Sequence, residues 1–181
     1  MKKILYIMLS LAACCGLTAC DDDAWGNGDP AMDHIYYVGF EDWGKNDNKV
    51  SFDVAHGETV DIPMQFWCEF IRPYDVVTYY WTVSDLTLGT DYRVVDANGS
   101  ALQPAANGAY TLTWPQAKKG VQSVRIEALN GADGTVTVQT FDPASTVELS
   151  NQNIESTVQS RTDNYEVRIF TQNYKVSVKI K

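Results

Sequence analysis

Between residues 34 and 181, hydrophobic and polar residues alternate in short runs that are separated by turn signals about every ten residues. The stretch TVDIPMQFW (59–67) is the clearest run, with Val60, Ile62, Met64 and Phe66 on one side. A period of two is typical of a half-buried β-strand, whereas an amphipathic helix repeats every three to four residues. The pattern predicts strands at 35–40, 49–55, 59–67, 76–84, 92–96, 109–114, 121–129, 134–141, 164–170 and 174–180.

Many short strands with frequent turns predict an all-β sandwich or barrel. The dipeptides Asn98-Gly99, Asn107-Gly108 and Asp133-Gly134 suit turns that need positive φ. Residues 142–163 lack a clear pattern, and a structureless loop of that length is uncommon. We therefore predict a short strand there, at 146–150 or at 156–160.

The alternation also predicts which side chains are buried. Within 76–84, the odd-numbered residues Val77, Tyr79, Trp81 and Val83 share one face, which we assign to the core together with Trp67. Pro63 lacks an N–H group, which predicts an edge strand or a bulge for 59–67. Lys179 and Lys181 suggest that the last strand is also an edge strand.

The N-terminus has the features of a targeting segment. Lys2 and Lys3 precede an apolar stretch that is too short to span a bilayer. Leu17-Thr18-Ala19-Cys20 resembles the bacterial lipobox, which implies a signal peptide at 1–19 and lipidation of Cys20. Leu11-Ala12-Ala13-Cys14 also fits this motif. The chain becomes acidic directly after Cys20, which favours Cys20 over Cys14 as the lipidated residue.

The residues after Cys20 predict the destination of the protein. Asp21, Asp22 and Asp23 resemble the acidic signal that sends some lipoproteins to the outer face of the outer membrane. An aspartate at this position resembles an inner-membrane retention signal in other bacteria. Residues 20–33 are acidic and contain glycine and proline, as expected for a tether between the lipid anchor and a domain at 34–181.

Charge and cysteine content exclude several classes of function. The formal net charge is −9, and removal of residues 1–19 makes it −11, so the chain is a poor candidate for binding nucleic acid. If the signal peptide is cleaved and Cys20 is acylated, only Cys68 remains, which excludes an intramolecular disulfide and a cysteine-based metal site. We expect Cys68 to be a small buried side chain.

The middle of the chain resembles a known family. VVTYYWTVSDLTLGTDYRVVDANG, followed by VQSVRIEALNGADG, is similar to the Calx-beta type of domain, in which a strand leads to a Gly-x-Asp-Tyr element, here Gly89-Thr90-Asp91-Tyr92. This resemblance covers residues 49–141 and implies an immunoglobulin-like antiparallel β-sandwich. Similar domains occur in small surface lipoproteins that are encoded with glycan-uptake systems.

Neither a metal site nor a catalytic site is predicted. The aspartates that could bind calcium are scattered near strand ends and do not match a known loop spacing (Asp47, Asp53, Asp91, Asp96, Asp133 and Asp142). The two histidines, His34 and His56, belong to no hydrolase motif. We therefore expect a protein that has no cofactor and is not an enzyme.

The aromatic residues suggest a carbohydrate-binding role, since flat rings stack on sugars. Trp43 lies in the polar stretch FEDWGKNDN, and Trp114 ends a strand before Pro115, so both are candidate ligand-binding residues. The sequence thus predicts a lipid-anchored, outer-membrane, surface-exposed binding module whose partner is a polysaccharide. The alternative is a structural or adhesive protein that binds another envelope protein.

Overall fold

Eleven β-strands form the framework of the part of the chain that the computed structural model describes, which comprises residues 33–40, 49–68 and 71–181. Two short 3₁₀ helices accompany the strands, at Pro115–Ala117 and Ile154–Thr157. The strands are β1 (Ile35–Phe40), β2 (Ser51–Val54), β3 (Thr59–Trp67), β4 (Val76–Ser84), β5 (Tyr92–Val95), β6 (Tyr110–Trp114), β7 (Gly120–Ala128), β8 (Gly134–Gln139), β9 (Val158–Arg161), β10 (Glu166–Ile169) and β11 (Lys175–Ile180).

The strands form two sheets that pack face to face. Sheet A has the order β5-β7-β3-β1-β10-β9, and sheet B has the order β2-β11-β8-β4-β6. Neighbouring strands are antiparallel except in the pairs β1–β10 and β2–β11, which are parallel. The predicted all-β sandwich is confirmed, but two of its strand pairs are parallel, whereas the sequence predicts an antiparallel sandwich.

The core lies between the two sheets. Ile62, Met64 and Phe66 of β3 are fully buried, as the alternation of 59–67 predicts. The Phe66 ring stacks on the ring of Trp114 from sheet B, with centroids 4.9 Å apart. Such aromatic pairs add stability beyond the area that they bury, and this one joins the two sheets directly.

All ten predicted strands are present, with ends that differ by at most two residues. The predicted strand at 156–160 corresponds to β9, whereas 146–150 forms no strand. Cys68 is buried, as expected.

The predicted orientation of β4 is wrong. The even-numbered residues Val76, Thr78 and Tyr80 are buried between the sheets, while Val83 is 42% exposed. Trp81 lies on the outer face with Val83 but is nonetheless buried, beside Phe141 and Val158. Its indole N–H donates a hydrogen bond to the carbonyl oxygen of Asn107 (3.3 Å). Hydrophobic residues occupy both faces of β4, so periodicity alone did not identify the core face.

Two predictions about edge strands are also wrong. β3 lies inside sheet A, but its pairing with β1 ends at Phe40 opposite Met64, so Pro63 lies just beyond that ladder. β11 lies inside sheet B because β2 pairs with it, and Lys181 forms an ion pair with Asp53 of β2 (3.0 Å).

Several sequence predictions concern residues outside the described ranges. They include the signal peptide at 1–19, lipidation of Cys20, the acidic signal at Asp21, Asp22 and Asp23, and the ligand-binding role of Trp43. In the described part of the chain, no helix is long and apolar enough to cross a membrane.

Candidate functional site

Four side chains form a row across the outer face of sheet A, which we call the aromatic rung: Lys119, Trp67, Tyr37 and Arg168. Tyr37 of β1 is directly opposite Trp67 of β3 on one side and Arg168 of β10 on the other. Lys119 precedes β7, whose Gly120 pairs with Phe66, so it lies beside Trp67. Its Nζ atom is 5.0 Å from the centroid of the Trp67 ring.

The alternation of the strands explains why these side chains point outward. Phe66 is fully buried, so the next residue, Trp67, must face the other side of the sheet. Tyr36 and Val38 are likewise buried on either side of Tyr37. Trp67 is 36% exposed, so part of this residue reaches the surface.

Other apolar side chains extend the aromatic rung. The Phe170 ring lies 5.0 Å from the Tyr37 ring. Val121, opposite Gln65 on the outer face, is also exposed. An aromatic surface with polar neighbours is therefore present on one face of the domain.

The charged residues of this face are mostly paired. Of the five arginines in the chain, four lie in strands of sheet A and form ion pairs: Arg93 with Glu127, Arg125 with Asp61, Arg161 with Glu155 and Glu166, and Arg168 with Glu166. Desolvation raises the pKa of Glu166, but hydrogen bonds from Arg168 and Arg161 outweigh it, and the pKa is lowered. Lys119 differs from these arginines, because no acidic side chain of the described residues pairs with it.

A cavity of about 300 Å³ lies between β4 of sheet B and β9 and β10 of sheet A, beside the segment 141–158. Trp81, Phe141, Asp142, Glu155 and Gln159 contribute to its wall. Trp81 is only 6% exposed there, which is too little surface for ring stacking. The Gln159 amide is already bonded to the backbone N–H and carbonyl groups of Tyr79, at 2.9 Å each.

A shallow groove of about 540 Å³ crosses the outer face of sheet B. Its wall includes Val50, Val83, Gln139, Tyr174 and Lys175. The Lys175 Nζ atom lies 5.3 Å from the Tyr174 centroid. Tyr174 is the one large aromatic ring in this groove, so it offers less stacking surface than the aromatic rung.

The Gly-x-Asp-Tyr element is structural. The Asp91 carboxylate accepts hydrogen bonds from the backbone N–H groups of Thr87 (2.7 Å) and Ala132 (2.9 Å), and these bonds lower its pKa. His56, in the β2–β3 turn, bonds the Leu129 carbonyl through Nδ1 and the Asp133 carboxylate through Nε2 (2.7 Å). Among the described residues, no group of three or more acidic, histidine or cysteine side chains could hold a metal ion.

The other side chains that could take part in catalysis, His34 and Cys68, form hydrogen bonds within the protein. His34 Nδ1 lies 2.8 Å from the hydroxyl oxygen of Tyr74, and that hydroxyl is 2.7 Å from the hydroxyl of Tyr36. The buried Cys68 thiol donates to the carbonyl oxygen of Ala117. These contacts fix the ends of strands and loops.

The structure corrects the expected exposure of Trp114. Its side chain is buried against Phe66, and its indole N–H donates to the Thr78 hydroxyl (2.9 Å), so it cannot contact a ligand at the surface. Sequence reasoning missed Trp67 and Tyr37. The alternation of 59–67 contained the signal, because it places Trp67 on the face opposite to Phe66.

No family model matches the chain, and no curated protein does. A similar solved structure is that of CaCohA2, a cohesin domain from Clostridium acetobutylicum determined in solution. It is 11% identical, with a TM-score of 0.39, and the match covers 82% of this chain and 92% of that chain. Sandwich folds host many unrelated sites, so this likeness says nothing about what the chain binds.

Proposed function

We propose that the protein is a lipid-anchored, non-catalytic module that captures glycans at the cell surface through the aromatic rung. One observation carries the proposal: Trp67 is 36% exposed and lies directly opposite Tyr37 on the outer face of sheet A. Aromatic rings offer large flat apolar surfaces, and nearby polar groups can orient a ligand through its hydroxyl groups.

The dimensions of the aromatic rung suit an extended ligand. Neighbouring strands are about 4.8 Å apart, so a row over four strands spans about 14 Å. A linear glycan could cross the strands along this row and place successive sugar rings over Trp67 and Tyr37. The half-buried Gln65, on the outer face beside the aromatic rung, could bond hydroxyl groups.

The anchoring part of the proposal rests on the sequence. Lipidation of Cys20, the acidic signal at Asp21, Asp22 and Asp23, and the tether at 20–33 would hold the domain at the outer membrane, facing the exterior. The resemblance to Calx-beta-like domains of surface lipoproteins supports the same location. The test is labelling with radioactive palmitate, which Cys20→Ser should abolish, followed by protease treatment of intact cells.

A role in binding another protein through an open strand edge is the alternative. The edge strands β2, β5 and β9 have four residues each, and β6 has five. Short edges are poor templates for the addition of a strand. The exposed rings therefore favour the glycan proposal.

The decisive experiment is a glycan-array screen of the mature chain carrying Cys20→Ala. We expect binding to a defined polysaccharide that Trp67→Ala weakens at least about tenfold, a loss of about 1.4 kcal/mol. Val83→Ala, at an exposed position on sheet B, is the matched control and should change nothing. Trp43→Ala tests whether that residue contributes as well.

Two outcomes would contradict the proposal. Binding that survives Trp67→Ala would place the site elsewhere, with Trp43 as the next candidate. A complete lack of binding would favour the protein partner, which a pull-down from the cell envelope would then identify.

A further inference from the structure

Next to the aromatic rung, the described charged groups differ in sign from the net charge of the chain, which is −9. The strands of sheet A carry four basic side chains and three acidic ones, Lys119 directly precedes β7, and three further acids directly flank β3 and β5 (Glu58, Asp91 and Asp96). Of these groups, Lys119 and Arg168 belong to the aromatic rung, and Glu166 pairs with Arg168. Among the described residues, the aromatic rung and its ion-pair partner thus have an excess of one positive charge.

This local excess is not cancelled by the acids elsewhere on the chain. Charges are screened over about 8 Å at physiological ionic strength. A ligand on the aromatic rung would therefore experience mainly the groups next to it. An anionic ligand is compatible with this face, although the net charge argues against nucleic acid as a partner.

Positive charge is placed at both ends of the aromatic rung. At one end, the Lys119 ammonium lies 5.0 Å from the Trp67 ring centroid and has no acidic partner among the described residues. At the other end, Arg168 is held by Glu166 (2.6 Å) and bonds to Tyr37, which fixes its orientation. The order across the four strands is cation, ring, ring, cation.

We infer that the ligand of the aromatic rung is a linear anionic polysaccharide, whose sugar rings stack on Trp67 and Tyr37 while its carboxylate or sulfate groups approach Lys119 and Arg168. This inference rests on the proposed function and adds the chemical class of the ligand. A neutral glycan would offer no anionic partner to the ammonium of Lys119. An acidic peptide would satisfy the charges but would not need the flat ring surface.

The test compares polygalacturonate with its fully methyl-esterified form, since the two share one backbone and differ in charge. Affinity of the mature Cys20→Ala chain is measured by calorimetry at low and high salt. We expect polygalacturonate to bind about tenfold more tightly than the ester and to lose affinity as salt rises. Dextran sulfate and dextran form a second pair that distinguishes sulfate from carboxylate recognition.

Two lysine variants make the test specific. Lys119→Gln should weaken polygalacturonate binding about fivefold to tenfold, reduce its salt dependence and leave binding of the ester unchanged. Lys175→Gln is the matched control, because Lys175 also lies over an aromatic ring, that of Tyr174, but on sheet B. This variant should bind both polymers as the parent chain does.

The outcomes separate this inference from the proposed function. If Trp67→Ala abolishes binding but Lys119→Gln and esterification change nothing, the anionic ligand is ruled out and the glycan module stands. If neither polymer of either pair binds while the glycan array shows binding to a neutral polysaccharide, the inference of an anionic ligand is wrong and the glycan module stands; if the array is also negative, both fail. If poly-L-glutamate binds as tightly as polygalacturonate and Trp67→Ala leaves that binding intact, the ligand is an acidic peptide and the inference is wrong.

Discussion

The aromatic rung and the cluster of His56, Asp91 and Asp133 are two groups of polar and aromatic residues near the surface. They differ in how far their side chains are bonded to other groups of the protein. In the cluster, the Asp91 carboxylate and both ring nitrogens of His56 are bonded to groups of the protein itself. In the aromatic rung, Trp67 exposes 36% of its surface, and the Lys119 ammonium pairs with no described acid.

The difference shows which kind of feature points to a ligand. Gly89-Thr90-Asp91-Tyr92 is the motif by which the chain resembles a family, yet its carboxylate serves to hold two loops together. Trp67 belongs to no motif, yet it presents an aromatic surface outward. A group whose hydrogen bonds are satisfied internally contributes to folding, whereas surface that folding leaves exposed is available for binding.

The largest expected effect is on the free energy of unfolding, and it distinguishes Phe66 from its neighbour Trp67 on β3. Phe66→Ala should lower the free energy of unfolding by about 3–5 kcal/mol, because it removes a buried ring that stacks on Trp114. Trp67→Ala should cost less than half as much, since its side chain lies on the outer face. Urea unfolding followed by circular dichroism measures both, and equal losses would show that Trp67 is mainly a stabilising residue.

The second largest effect on stability is expected at Gly131, in the loop that is bonded to Asp91. A Cβ atom on Gly131 would lie 2.2 Å from Asp91 Oδ1 and 2.7 Å from the Asp91 Cα. Since a backbone atom cannot move aside, Gly131→Ala should destabilise the domain by about 1–3 kcal/mol. Glycan binding at the aromatic rung should stay unchanged once the variant is folded.

Gly120 provides the matched control for Gly131. No heavy atom lies within 4 Å of a Cβ built on this residue, at the start of β7. Gly120→Ala should therefore be neutral or stabilise by about 0.5 kcal/mol, through the lower entropy of the unfolded chain. Equal melting temperatures for the two variants would mean that the Asp91 loop has room to relax.

Much of the fold could be predicted from the sequence, because period two and the turn dipeptides are local signals. The sequence could not show which face of β4 is buried, since Tyr79, Tyr80 and Trp81 place large rings on both faces. On β3 the local signal was present, because alternation with the buried Phe66 places Trp67 on the outer face, contrary to its assignment to the core.

The aromatic rung was less predictable than the strands. Its members come from four segments that are far apart in the sequence, and only the order β7-β3-β1-β10 brings them into one row. Strand order and register depend on long-range pairing, which local patterns do not encode. Trp43, the sequence-based candidate outside the described residues, stays a prediction.

The third prediction concerns pH. Both ring nitrogens of His56 face acceptors, so the doubly protonated ring is favoured, and the hydrogen bond with Asp133 followed by that with Leu129 raises its pKa above 6.5. A raised folded-state pKa gives stability that is present below the unfolded pKa and is lost as pH rises through the folded value. The stability difference between the parent chain and His56→Gln should shrink from pH 5.5 to pH 8.5.

Proton NMR titration of the His56 ring measures that pKa directly. A value at or below that of a free histidine would contradict the prediction. Asp133→Asn should lower the pKa of His56, whereas Trp67→Ala should leave it unchanged. The pH response would then belong to the cluster and not to the aromatic rung.

The smallest expected effect concerns the paired charges on the same face as the aromatic rung. Arg125 Nε lies 2.8 Å from Asp61 Oδ1, and the Asp61 side chain is mostly exposed. A double-mutant cycle with Arg125→Gln and Asp61→Asn should give a coupling of about 0.2–1 kcal/mol that falls as salt rises, because water and ions screen exposed pairs. A larger, salt-insensitive coupling would mean that this pair is a rigid part of the face. A small coupling would mean that water and ions screen this pair and that it adds little to the stability of the domain.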